Sequence, residues 1–547
     1  MAANDLPNLG VPARLAARMS MAEQHAYLRE KLGRRPRPVL PNGPTRRGVL
    51  RGGGLLAAGA AGAAGLRADA GVLRADAGVL RGGSAPGGST ALLPRTAVDG
   101  ALVAPFGRHL AFGADPASQM RISWQVPLPV RRPYLRVGTA PWDLGGRVAA
   151  EVRALYTPAL SSTLPSVEQL HLHVGLEGLR PGTTYYYGVG HDGFDPAAPA
   201  RSHTVDFFTT APADGTRPFV FTAFGDQGVS PGARTAGRLL LDRDPAFHLH
   251  AGDICYADGT GHGADSDRYD ARTWDRFLAQ IEPVARRVPW MVTTGNHDME
   301  AWYSPDGYGG QTARWSLPGD GPDPERAPGI YSFVYGNVGV LALDANDVSY
   351  EIPANRGCTG GAQTRWLERT LERLRAHRGV DFLVVFFHHC AYSTATHGSD
   401  GGVRERWVTL FERHHVDLVV NGHNHVYERT DPLRGGRPTR ALRSGGTTDP
   451  VADGTVYVTA GGGGRELYGF RAPDSHEGHV RERDSVPGIR WTGERTAERD
   501  RVEWSRVRYT GFSFLAVESR PGPRPALSVT ALAHSGRRID HFAVRRS

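Results

Sequence analysis

Lysine is nearly missing from this chain: Lys31 is the single one among 64 basic residues, all the others being arginine. With Ala, Gly and Pro abundant, that bias reads as the codon usage of a GC-rich genome rather than a functional demand. Cysteine is scarce too. Three of them (Cys255, Cys358 and Cys390) are too few for a disulfide framework, and the odd count leaves at least one thiol unpaired within the chain. Positive charge is in excess only near the start: residues 1–70 hold 11 Lys or Arg against 4 Asp or Glu, which is nearly all of the formal +8. No nucleic-acid surface follows from the high pI. No apolar run is long enough to span a bilayer.

What the first hundred residues do contain is "TRRGVLRGGGLLAAGAAGAAGL", residues 45–66. Arg46 and Arg47 followed by a short, weakly apolar Ala/Gly/Leu stretch resemble a twin-arginine (Tat) export signal, which implies the Tat machinery as a partner and a secreted or cell-surface destination. The leader before it is long, so Met19 or Met21 is a candidate start. Small residues suited to cleavage end at Ala70 and Ala77, inside the repeated heptad "LRADAGV". Two heptads cannot sustain a coiled coil, and the repeat reads as linker. Residues 1–70 are thus expected to be leader and 71–100 flexible linker.

Residues 101–212 alternate apolar and polar in short runs such as "MRISWQV", "PYLRVGT" and "VDFFTT", divided by Gly and Pro turns. That is an all-β pattern. "LEGLRPGTTYYYGVG" resembles a fibronectin type III sandwich, read here as a packing module. From residue 216 to 547 the rhythm changes. Apolar runs "RPFVFTAF", "AFHLHA", "VPWMVTT", "VGVLALDA", "DFLVVFF" and "VDLVVN" alternate with helical stretches near 271–287, 362–377 and 403–414. Buried strands flanked by helices, an α/β domain, are expected.

Almost every one of those runs stops at Gly or Asn followed by side chains that bind metals. "GDQG" offers Asp226; "GDICY" offers Asp253 and Tyr256; "GNHD" offers Asn296, His297 and Asp298; "VFFHH" offers His388 and His389; "GHNH" offers His423 and His425. Open α/β sheets gather ligands beyond the carboxyl ends of their strands, so five loops far apart in sequence can converge. Glycine before a ligand permits a sharp turn. An extended backbone would send His423 and His425 to the same side. Acidic groups, imidazoles and an amide buried together would be unstable without cations.

The five motifs in this order resemble the calcineurin-like metallophosphoesterases, and the Tyr of "GDICY" with "GHNHVYERT" resembles the purple acid phosphatases among them. The resemblance implies a four-layer α/β/β/α sandwich preceded by a fibronectin-like domain, and a binuclear metal centre. It implies Asp226, Tyr256 and His425 as ligands of a ferric ion, Asn296, His388 and His423 as ligands of a divalent Zn, Fe or Mn ion, and Asp253 as the bridge. A phenolate is a hard oxygen donor suited to Fe(III), whereas imidazole and amide ligands do not choose among the divalent ions. Two such ions can hold a hydroxide and clamp the oxygens of an in-line displacement at phosphorus. His297 and His397 match the family's outer positions for phosphate contact and proton supply, and Asp298 is expected to orient His297 or a ligand. His389 and Cys390 depart from the Ser and Pro that plant members carry there. Cys255 and Cys390 are expected to be inert buried thiols.

The expected function is hydrolysis of small phosphate monoesters by an exported enzyme. A phosphodiesterase on the same scaffold, and a cell-surface binding protein with a vestigial catalytic domain, are the alternatives. The charged stretch 475–505, with His476 and His479, is expected to be solvated loop.

Overall fold

The computed structural model describes residues 99–546 apart from 161–163, 262–268, 301, 352, 354 and 475–484. The export signal, the linker up to residue 98, and His476 and His479 lie outside the described residues.

The N-terminal unit is an eight-stranded sandwich of two four-stranded antiparallel sheets. One sheet runs Phe106–Phe112, Met120–Val126, Val167–Leu176, Glu151–Thr157; the other runs Arg147–Ala149, Tyr134–Gly138, Thr184–Gly190, Asp206–Thr209. Alternation along the strands buries Ile122, Trp124, Leu135, Val137, Leu172, Val174, Tyr187 and Phe208 between them.

The larger unit is built on two seven-stranded sheets. In the first, Trp290–Val292, Phe247–His250 and Phe219–Phe224 run parallel, and the C-terminal strands Ser513–Arg520, Ala526–Ala533 and Arg538–Arg545 extend them antiparallel. In the second, Val338–Ala342, Phe382–Phe387, Leu418–Asn421 and Val456–Ala460 are parallel neighbours. Side chains from both inner faces, among them Phe221, Leu249, Met291, Val340, Val384, Phe386 and Val420, share one core. The first sheet's outer face packs on the helices Pro231–Leu241 and Arg272–Ala285, the second's on Ala362–Arg375 and the segment 401–413. The result is four layers, α/β/β/α.

Local sequence explains the helices. Arg272–Ala285 buries Trp274, Phe277, Leu278, Ile281 and Val284, spaced three or four apart on one face. Pro231–Leu241 begins where Ser230 accepts a hydrogen bond from the Ala233 amide and Pro231 fills the first turn. The sequence reading missed this helix, although Ser-Pro is a helix-start signal.

The sandwich is tied to the larger unit mainly through the helix Arg272–Ala285. Arg108 bonds Glu282 at 2.6 Å, and Arg287 bonds the buried Asp206 at 2.6 Å. Nearby, His109 and His173 contact the backbone oxygens of Arg314 and Ala313 at 3.2 and 2.9 Å. This supports the reading of the sandwich as a packing module. Of the stretch 475–505 read as solvated loop, the described part, 485–505, is corrected: Val486–Trp491 and Ala497–Val502 form a hairpin whose first strand pairs with Ser399–Asp400. Among the described residues no helix is long and apolar enough to cross a membrane.

Candidate metal centre

The parallel strands of the two sheets end at the same edge of the sandwich, and the loops leaving them meet there. Asp226 follows Phe219–Phe224, Asp253 and Tyr256 follow Phe247–His250, and Asn296 follows Trp290–Val292. His388 follows Phe382–Phe387, while His423 and His425 follow Leu418–Asn421. All seven are buried.

The donor atoms of six of them sort into two sets, His423 standing apart. In one, the Tyr256 hydroxyl lies 3.2 Å from Asp226 Oδ1 and 2.9 Å from His425 Nε2, which is itself 3.3 Å from that Asp226 oxygen. In the other, His388 Nε2 lies 2.9 Å from Asn296 Oδ1 and 3.3 Å from Asp253 Oδ2. Two donors held about 2.0–2.1 Å from one ion and about 90–110° apart at it stand roughly 2.8–3.4 Å from each other. These separations fall in that range, so the residues fit a pair of ions.

Second partners aim the donors inward. His388 Nδ1–H donates to the Ala251 carbonyl at 2.8 Å, and His425 Nδ1–H donates to the Glu466 carbonyl, so both Nε2 atoms turn to the centre. Asn296 donates its amide N–H to the Gly261 carbonyl at 3.1 Å, which leaves Oδ1 facing His388. His423 takes a different orientation: its Nε2 lies 3.0 Å from Glu351 Oε2, and its ring centre is 5.1 Å from that of His388.

The local backbone is unusual. Among the described residues seven non-glycine residues have positive φ, and Asp226, Asp253, Tyr256 and His423 are four of them. Left-handed backbone costs energy for such residues and clusters at functional sites. The sequence reading placed the sharp turns on the preceding glycines; here the ligand residues make most of them. At Gly422 the glycine is needed for space, since a Cβ there would sit 2.6 Å from Asp226 Oδ2 and 3.0 Å from His388 Nδ1. Nor is the backbone of residues 422–426 extended, so His423 and His425 reach the centre by a left-handed turn rather than by strand alternation.

Electrostatics agree with a cation. Burial, with Asp253 and Asp226 close by, pushes the Tyr256 phenol well above its ordinary pKa. Burial opposes charge on His388, yet the Asp253 carboxylate raises it to about 10. The cluster therefore demands positive charge, whether proton or metal, and metal binding is what would release these protons.

The outer residues are placed as follows. His297 donates Nδ1–H to the Asp258 carbonyl at 2.8 Å, leaving Nε2 3.9 Å from Asp253 Oδ2. His397 stands on the far side, its ring 4.6 Å from that of His423 and 5.0 Å from that of Tyr468. Its carbonyl accepts the Trp491 indole N–H at 2.8 Å, which is how the hairpin steadies this loop. Asp298 accepts from the Ile254 and Gly295 amides at 2.9 and 2.8 Å, so it clamps the Asp253 and Asn296 loops together instead of touching the His297 ring. Burial and Asp253 push its carboxyl up to about 7.

Cys255 is buried among apolar side chains such as Phe224 and Trp274, and burial raises its thiol well above the ordinary value. Cys390 donates to the Gly422 carbonyl at 3.1 Å. Sequence reasoning missed Glu351, for which "SYEIPAN" carries no signal, and the segment after Val456–Ala460. There Tyr468 stacks on His425 with ring centres 3.9 Å apart, and the Arg465 guanidinium lies 4.5 Å above the Tyr256 ring.

Comparison with known proteins agrees with this geometry. Residues 105–217 match the family model of the purple acid phosphatase N-terminal domain, and residues 222–427 match that of the calcineurin-like phosphoesterases. An uncharacterized protein of Mycobacterium tuberculosis is 36% identical over 385 residues, 65% of this chain and 69% of its own length. Purple acid phosphatase 23 of Arabidopsis thaliana is 29% identical over 53% of this chain and 62% of its own. Acid phosphatase type 7 of Homo sapiens is 27% identical over 69% of this chain and 82% of its own. The solved structure of the purple acid phosphatase PPD1 from yellow lupin seeds shares the fold, with a TM-score of 0.60 at 23% identity over 81% of this chain and 75% of that one. The chain belongs to the purple acid phosphatases of the calcineurin-like phosphoesterase superfamily and is a metal-dependent phosphoesterase.

Proposed function

We propose that this protein hydrolyses small phosphate monoesters at a binuclear centre. Asp226, Tyr256 and His425 would hold a ferric ion, Asn296, His388 and His423 would hold a divalent Zn, Fe or Mn ion, and Asp253 would serve both. The observation that carries this reading is the sorting of the buried donors into two sets about 3 Å within themselves, one containing a phenol. When bound, the ions supply a hydroxide nucleophile and offset the charge of the phosphoryl group.

The chain's own residues do the rest. Asp298 keeps the Asp253 and Asn296 loops in register. His297, with its Nδ1–H committed to Asp258, presents Nε2 to a phosphate oxygen beside Asp253. His397 faces the opposite side of the centre and passes a proton to the departing alkoxide. Burial lowers the pKa of its ring, so it holds the proton to be passed on only on the acid side of its ordinary range.

The same reading includes export of the folded protein by the twin-arginine route, supported by Arg46 and Arg47 and the short apolar stretch after them.

The test is the visible spectrum, metal content and ester specificity of the purified protein. A phenolate-to-iron band, at least two metals per chain and faster turnover of monoesters than diesters are expected. A colourless, iron-free protein that prefers diesters would replace the proposal with a phosphodiesterase in which Tyr256 packs only.

A further inference from the structure

Beside the candidate centre lies a second convergence of ligand-type side chains, which shares only His423 with it. The loop after Val338–Ala342 brings Glu351 against two imidazoles: Glu351 Oε2 is 3.1 Å from His389 Nε2 and 3.0 Å from His423 Nε2. Donor atoms of Glu351, His397 and His423 all lie within 4.8 Å of one another. The His389 and His423 rings are 4.6 Å apart, tilted by 35°.

His389 is the informative member. It is 1% exposed, its Nε2 lies within hydrogen-bond reach of Glu351 Oε2, and its Nδ1 has no hydrogen-bond partner among the described residues. Buried imidazole nitrogens without a partner also occur at His171 and His250, so at His389 it is the convergence with Glu351 and His423 that points to a ligand. Donor atoms about 3 Å apart suit a shared ion. Each imidazole's separation from the Glu351 oxygen falls in the roughly 2.8–3.4 Å window for two donors on one Zn²⁺. In this chain His389 stands directly after the candidate ligand His388.

We propose that Glu351, His389 and His423 Nε2 form a third cation site, for a divalent ion of the Zn²⁺ type, next to the binuclear centre. Two imidazoles and one carboxylate are the donors such an ion favours, and His397 is near enough to close the set or to remain free for substrate. The inference rests on the proposed function in one respect, the sharing of His423. With Nε2 committed to the Glu351 side, Nδ1 is the nitrogen left for the divalent ion of the binuclear pair. The imidazole then bridges two ions, and its ring proton goes to solvent on binding. Glu351 is one-quarter exposed, so the third ion has a path to water.

Metal stoichiometry tests this directly. The purified full-length protein is equilibrated with Zn²⁺, freed of loosely held ions by gel filtration, and analysed by native mass spectrometry and elemental analysis beside Glu351→Gln and His389→Phe. Three ions per chain are expected in the parent and two in each variant. Thermal melting serves as the folding check, and Glu351→Gln is the milder change because its side chain is partly exposed. Two ions in the parent and two in both variants would overturn the third site and leave the binuclear reading standing. Two in the parent and one in the variants would overturn it as well, making Glu351 a support for the second ion. Three ions in the parent and in both variants would place the extra ion elsewhere. Fewer than two in the parent would instead sink the binuclear reading.

Discussion

The hydroxyl of Tyr256 lies 2.9 Å from Nε2 of His425, 169 residues further along the chain. Tyr256 leaves the first sheet and His425 the second, so this contact joins the two halves of the sandwich. Each proposed ion draws ligands from both sheets, and binding metal therefore locks the sheets' relative position.

Removing the phenol tests the ferric assignment. Tyr256→Phe is expected to fold, to lose the visible band, and to lose at least tenfold in phosphomonoester turnover. Spectra and iron content of parent and variant, recorded together, check this. A band that survives the substitution would rule out the phenolate as its source.

Asp298 is expected to matter for assembly more than for chemistry. Asp298→Ala leaves the buried Ile254 and Gly295 amides without their acceptor, at about 1–3 kcal/mol each. Because these residues adjoin Asp253 and Asn296, metal affinity should fall together with stability. Urea unfolding of the metal-stripped protein and a metal titration separate the two effects. Unchanged stability would mean that water satisfies those amides.

Space at Gly422 gives a sharper structural test. Its added Cβ would press on Asp226 Oδ2, the Ala251 carbonyl and His388 Nδ1, whereas one at Gly146 would meet nothing within 4 Å. Gly422→Ala should lower activity and metal content about a hundredfold and tenfold respectively, since a misplaced ligand costs orders of magnitude in rate. Gly146→Ala should match the parent. Equal activity of the two variants would show that the crossing of the loops is slack.

Acid should loosen the junction between the sandwich and the larger unit. His109, His171 and His173 are buried there, and burial lowers all three below the ordinary 6.5. In the unfolded chain they take up protons near pH 6.5; in the fold they resist. Their stabilising contribution is whole above that pH and is lost as pH falls below it, by about 1.4 kcal/mol per unit for each. His171 has no hydrogen-bond partner on either nitrogen among the described residues, so His171→Leu should cost little at pH 7.5 and flatten the decline. Parallel melting-versus-pH curves for parent and variant would contradict this.

Much of the molecule was legible in the linear sequence. Strands such as Phe382–Phe387 and Leu418–Asn421 stand out as unbroken apolar runs because both of their faces are covered. The helix Ala362–Arg375 shows its apolar stripe at Trp366, Leu367, Leu371 and Leu374. The helix Pro231–Leu241 hid because small residues, Ala233, Ala236 and Gly237, make up most of its buried face. The hairpin at 486–502 hid for the opposite reason, since Ala497–Val502 carries charged side chains almost throughout and gains its order from pairing.

Local residue type and spacing determined which side chains reach the strand ends, because an apolar strand followed by a turn and a polar side chain needs no distant information to form. That Asp298 clamps two loops and that Glu351 sits between His389 and His423 were decided by tertiary structure alone. Those relationships depend on how two sheets cross and on left-handed turns at Asp226, Asp253, Tyr256 and His423, which individual residues favour only weakly and which the assembled fold holds in place.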